Sequence, residues 1–298
     1  MINYIKFKGK QMKYSTLATL LVPVLLAGCA SAPSSYTYQS NKSKALNLAN
    51  IGGIRVGIAD TDRPKDTSGT LATSIPYGVA YTASGFASPA MGFTSWGGGA
   101  MSLLSILSSP KAQNARNSVM ALMPSDMATS DKDAQKKLFD LYYHNAGKAI
   151  KKSGAEPIVY SDEEMKKYTK NLTFRRALIQ KPEWGCPNQK ANLERESKCW
   201  LVIDIKEPGI LNYPNFVTSS PSYYYFSASS GSDYSQIRFE KPESAKIPEY
   251  EILSDLSKNL PDWTFMYIAP KQVTNKSGEL LKFPFILISG NTELFIKP

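Results

Sequence analysis

Hydrophobic and polar positions alternate with a helical period most clearly in SDKDAQKKLFDLYYHNAGKAIKKSG, residues 130–154. Ala134, Leu138, Leu141, Tyr142 and Ala149 share one face of a helix, with Phe139, Tyr143 and Ile150 beside them. Asp133, Lys137, Asp140, His144, Lys148 and Lys151 fall on the opposite side. Ser130 or Asp131 can cap the start, Lys151 and Lys152 suit the negative end, and Gly154 can terminate it. Ser161 and Glu164 have the spacing of a capping box, which opens a second, basic helix through about Thr169. PEYEILSDLSKNL, with Ile252, Leu253, Leu256 and Leu260 on one side, predicts a third.

Period-two and continuous apolar runs predict strands elsewhere. IGGIRVGIAD sets Ile54, Val56 and Ile58 against small or polar neighbours. AEPIVYS reads as a buried strand and CWLVIDIKEP as a strong one. SYYYFSA and SQIRFE read as a hairpin around SSGSD. DWTFMYIAP and FPFILISGNTELFIKP close the chain as strands, the latter turning at Gly290-Asn291. The expected fold class is therefore α+β: a mixed α/β sandwich with about three main helices on a largely antiparallel or mixed sheet.

The amino-terminal pattern is of another kind. Lys6, Lys8, Lys10 and Lys13 precede an apolar run from Leu17 to Ala27, too short for a membrane-spanning helix of about 20 residues. A basic flank, a short apolar stretch and small residues at its exit describe a secretory signal. Leu26-Ala27-Gly28-Cys29 resembles the lipobox of bacterial lipoproteins. That resemblance implies cleavage before Cys29, a diacylglyceryl group on its sulfur and acylation, palmitate included, of the new amino terminus. Two or three chains anchor a protein stably, where one binds only marginally. Ala30 and Ser31 follow, without the Asp that retains such lipoproteins in an inner membrane, which favours the outer membrane. Met12 is an alternative start that still leaves a complete signal.

The expected organisation is a cleaved signal over 1–28, a lipidated terminus and flexible tether over 29–50, and one globular domain over 51–298. Within that domain, residues 67–110 hold no charged side chain and are rich in Gly, Ala, Ser and Thr. Pro76, Pro89 and Pro110 break this segment into pieces, and no piece holds the roughly 18 apolar residues expected of a spanning helix. It reads as a buried or mobile loop, with partner contact or membrane insertion as alternatives. Removing 1–28, with four lysines and no acids, lowers the formal charge from +10 to +6. An excess of this size suits anionic lipid or wall polymers, or solubility alone. Nucleic acid is not expected as a partner, because the export signal removes the chain from it and no recognition motif is present.

Candidate chemistry is sparse. With Cys29 lipidated, Cys186 and Cys199, with twelve residues between them, are expected to form a disulfide. His144 is the single histidine, and any Ser-His-Asp or Cys-His arrangement would need it. Its phase puts it on a polar helix face, so no catalytic residue is assigned. Asp60, Asp62 and Asp66 could outline a calcium site, but Arg63 and Lys65 intrude and the glycine and closing glutamate of an EF-hand are missing. No metal site or cofactor is expected. Asp162, Glu163, Glu164, Asp204 and Glu207 are available for paired-carboxylate hydrolysis, without any spacing that unites them.

Tyr223, Tyr224, Tyr225 and Phe226 alternate on a strand, so Tyr223 and Tyr225 share one face and form the candidate binding surface. The competing reading is a half-buried strand of aromatic β formers. The expectation is a lipid-anchored envelope protein of the outer membrane, facing the periplasm, that binds or scaffolds an envelope protein or glycan without catalysis. The alternatives are a hydrolase of wall glycan or peptide, and a membrane-inserting or assembly subunit acting through 67–110.

Overall fold

The structure is a computed structural model that describes residues 36–55, 57–62, 113–166, 173–188, 198–213, 215–228 and 234–298. The expected signal, Cys29 and the uncharged segment 67–110 lie outside these residues. In chain order the elements are α1 (Lys44–Ile51), β1 (Ser118–Pro124), α2 (Asp131–Lys152), β2 (Glu156–Ile158), α3 (Asp162–Lys166) and β3 (Phe174–Gln180). There follow β4 (Cys199–Asp204), β5 (Gly209–Leu211), β6 (Tyr223–Phe226) and β7 (Gln236–Glu240). Helix α4 (Glu249–Lys258) and strands β8 (Thr264–Ile268), β9 (Phe285–Ile288) and β10 (Asn291–Leu294) complete the order.

All strand pairs are antiparallel. They build one sheet in the order β10-β9-β8-β1-β6-β5 and a second in the order β2-β3-β4-β7. The fold is α+β. Strand β1 shows why the first sheet needs cover on both faces. Val119, Ala121 and Met123 enter a large core shared with α2, α4 and the second sheet. Met120 and Leu122 enter another, filled by Ala45, Leu46, Leu48, Ala49 and Ile51 of α1.

Helix α2 follows its sequence pattern closely. Ser130 caps it, accepting from the Asp133 amide, and Gly154 beyond its end takes φ +82°, where glycine has no Cβ penalty. Leu138, Phe139, Tyr142, Ala146, Ala149 and Ile150 are buried. Lys152 pairs with Asp255 at 2.8 Å and clips α2 to α4. The capping box also forms: Ser161 N–H donates to Glu164 Oε2 at 2.7 Å, and Glu164 N–H to Ser161 Oγ at 3.3 Å. The hairpin of β9 and β10 turns at Ser289-Gly290, both at positive φ (48° and 78°), one residue before the expected Gly290-Asn291.

Four expectations about the fold are corrected. IGGIRVGIAD forms no strand among its described residues: Ile51 ends α1, Gly52 and Gly53 form a turn, and the described residues up to Asp62 make one bridge, from Thr61 to Ile296. A Cβ on Gly52 would lie 2.1 Å from Met120 Sδ, so the glycine lets the helix end approach the sheet. Second, the tether does not run to residue 50. Ser43 caps α1, and buried Asn47 binds the preceding segment, accepting from Gln39 N–H at 2.8 Å and donating to the Gln39 carbonyl at 2.9 Å. Ser43 also donates to Asp60 through its amide, at 2.7 Å, and through its hydroxyl.

Third, SYYYFSA and SQIRFE are not partners. Strand β6 pairs with β1 and β5, whereas β7 pairs with β4 in the other sheet. The reason is chemical. YYYF is aromatic on both sides and needs a sheet covered on both faces, while QIRFE alternates and suits an edge with one wet side. AEPIVYS also yields only the three-residue edge strand β2, part-exposed rather than buried.

Candidate functional site

The expected surface of Tyr223 and Tyr225 is corrected by burial. Their side chains do share a face, but Tyr223 is 0% and Tyr225 9% exposed, and both belong to the core beneath α1. Tyr225 donates its hydroxyl to the Ile51 carbonyl at 2.8 Å, and burial pushes its phenol pKa up. Tyr224, on the other face, donates to the Ala128 carbonyl at 3.2 Å. These tyrosines hold the protein together and offer no surface to a partner.

A cleft of about 530 Å³ lies along the polar side of α2. Lys137, Asp140, Leu141, His144 and Asn145 line it from positions i, i+3, i+4, i+7 and i+8 of the helix. Met123, at the end of β1, and Met127, in the following 3-10 turn Ser125–Met127, close the other side. The turn is held to the helix, because Lys137 Nζ donates to the Met127 carbonyl at 3.0 Å.

The rim charges are already matched. Lys136 binds both carboxylate oxygens of Asp140, at 2.8 and 2.7 Å, and Lys137 pairs with Asp133 at 2.9 Å. The Thr129 amide, and then Lys137, hold the Asp133 carboxyl below the usual carboxylate range. Asn145 is buried and spends its amide N–H groups on the Leu141 and Asn259 carbonyls, at 2.9 and 3.2 Å. His144 is exposed at the same opening. The lining holds no hydroxyl or thiol for the imidazole to activate. An apolar floor of two methionines and a leucine with a few polar groups is the chemistry of a binding cleft.

The remaining sequence candidates are placed as follows. Cys186 and Cys199 are joined, their Cα atoms 5.5 Å apart, and tie the turn after β3 to the start of β4. Asp60 serves Ser43 and Asp62 pairs with Lys297 at 2.7 Å, while Asp66 lies outside the described residues. Glu164 is engaged in its capping box. Asp204 is buried between Lys206, at 3.0 Å, and Gln236, at 3.2 Å. Among the described residues no three His, Cys, Asp or Glu side chains group as metal ligands, and no helix is long and apolar enough to cross a membrane.

Sequence reasoning missed Met123, Met127 and Asn145 of the cleft. It also missed a second feature, an aromatic cluster at the edge of the α1 core. Tyr38 packs edge-on against Phe216 with ring centroids 5.2 Å apart, and Tyr36 lies 6.2 Å from the same ring. The available signal was YTYQ, two aromatics two residues apart in an otherwise small and polar run.

Comparison of the chain with models of protein families, with curated proteins and with solved structures returns no match.

Proposed function

We propose that this chain is a lipid-anchored protein of the bacterial envelope, held to the outer membrane through Cys29, whose periplasm-facing domain binds an envelope component without transforming it. The lipobox resemblance at Leu26–Cys29 supports the anchor. The Cys186–Cys199 bond supports an oxidising compartment of the kind an export signal leads to. The observation that carries the binding half is the cleft along α2: an apolar floor of Met123, Met127 and Leu141, with neighbouring charges satisfied within the protein. Such a site gains affinity by burying an apolar group and has no activated nucleophile to spend on it.

The test is photocrosslinking in intact cells, with a benzophenone side chain at Met127 and, as a control, at Leu280, another exposed apolar position. A discrete adduct from position 127 that is absent at 280, and is lost in Leu141→Arg, is the expected result. Release of soluble fragments from purified peptidoglycan by the purified protein would overturn the non-catalytic reading.

A further inference from the structure

Among the described residues most exposed large apolar side chains stand singly, as Val159, Ile210 and Leu280 do, and need no partner to explain them. Tyr38 is different. It is 45% exposed, yet its ring is held against Phe216, which in turn meets Tyr36. The segment is fixed from below as well: Tyr36 donates its hydroxyl to Asn47 Oδ1 at 3.1 Å, and Asn47 is part of buried α1. The result is a rigid, amphipathic aromatic ledge with ring surface facing solvent, not a loose terminal arm.

The position of the ledge along the chain gives it a partner. Only residues 30–35 separate Cys29 from Tyr36. Seven Cα steps span at most about 25 Å, whereas a tether reaching residue 50 would span about 70 Å. Accepting the anchor at Cys29 proposed above, we infer that Tyr38 and Phe216 form a membrane-docking surface that rests at the lipid headgroup level. Tyrosine suits that level because its ring is apolar and its hydroxyl is wet. Lys42, four residues after Tyr38, and Lys44, at the start of α1, add positive charge on the same segment; Lys44 shares its charge with Glu293 at 2.7 Å. Docking through this ledge fixes the orientation of the domain, so the cleft along α2 is presented at a set direction to the bilayer instead of swinging on a leash.

The test uses the mature lipidated protein in vesicles of phosphatidylethanolamine and phosphatidylglycerol. Cys29 is acylated in this reading and Cys186 is bonded to Cys199, so one introduced cysteine takes a nitroxide label uniquely. Labels are placed in Tyr38→Cys and Phe216→Cys, with Met127→Cys and Leu280→Cys, which take no part in these ring contacts, as controls. The expected result is a several-fold rise in the ratio of oxygen to nickel-chelate accessibility at 38 and 216 on vesicle binding, with no change at 127 and 280. Protein that sediments with the vesicles while the labels at 38 and 216 keep their aqueous values overturns the docking surface and leaves the anchor standing. Failure of the wild-type protein to carry acyl chains or sediment at all overturns the anchor, and the docking surface with it.

Discussion

The Tyr225 hydroxyl meets the Ile51 carbonyl at 2.8 Å, joining residues 174 positions apart in the chain. The contact fastens the end of α1 to β6, next to the edge of the larger sheet, where Tyr225 pairs with Leu122. Tyr225→Phe keeps the ring and removes the hydroxyl, leaving a buried carbonyl without its donor. The expected loss is about 1–2 kcal/mol of stability, read as a lower urea midpoint at unchanged slope. An unchanged midpoint would mean that the bond contributes nothing net.

Asn47 ties the start of the described chain to the fold through Tyr36, Gln39, Lys42 and Ser43. Asn47→Ala frees that segment and strands several polar groups, at a cost of about 1–3 kcal/mol. Native-state trypsin digestion should then cut after Lys42 much faster than in wild type, with cleavage elsewhere little changed. Equal rates at Lys42 would show that other contacts hold the segment.

The Cys186–Cys199 bond joins residues 13 apart in the chain, worth about 3 kcal/mol on the chain-entropy account. Reduction, or the double replacement Cys186→Ser and Cys199→Ser, should lower stability by that order in urea titration. A midpoint indifferent to reductant would contradict it.

Asp255 sits between Lys152, at 2.8 Å, and Lys258, at 3.0 Å. Burial alone would raise its pKa, but hydrogen bonds from both lysines and their charges outweigh that and hold it below the usual carboxylate value. A depressed folded-state pKa gives stability that is present above the unfolded value of about 3.9 and is lost as pH falls through the folded value. Asp255→Asn should therefore narrow the stability difference between pH 6 and pH 3. A variant as acid-sensitive as wild type would place the effect on other carboxylates.

Where one element carried its own signal, the chain was legible. Ser130, the apolar stripe of α2 and Gly154 mark a helix that stands as expected, and so does the capping box of Ser161 and Glu164. The α+β class was readable for the same reason. What failed depended on distant residues. Gly52 and Gly53 look like breaks within a strand, and only Met120 beneath them shows that they end a helix against a sheet. The alternation of Tyr223 and Tyr225 was right, but their exposure depended on α1, which lies in a run that reads as tether. The cleft was hidden likewise, since Met123 and Met127 meet the polar side of α2 only through tertiary packing.

The most direct measurement is the mass of the amino-terminal peptide of the protein isolated from its own membranes. The account predicts a peptide beginning at Cys29, heavier by a diacylglyceryl group and an amide-linked acyl chain and absent in Cys29→Ser. A peptide beginning at Met1 or Met12, or one beginning at Cys29 with a free thiol, would contradict it.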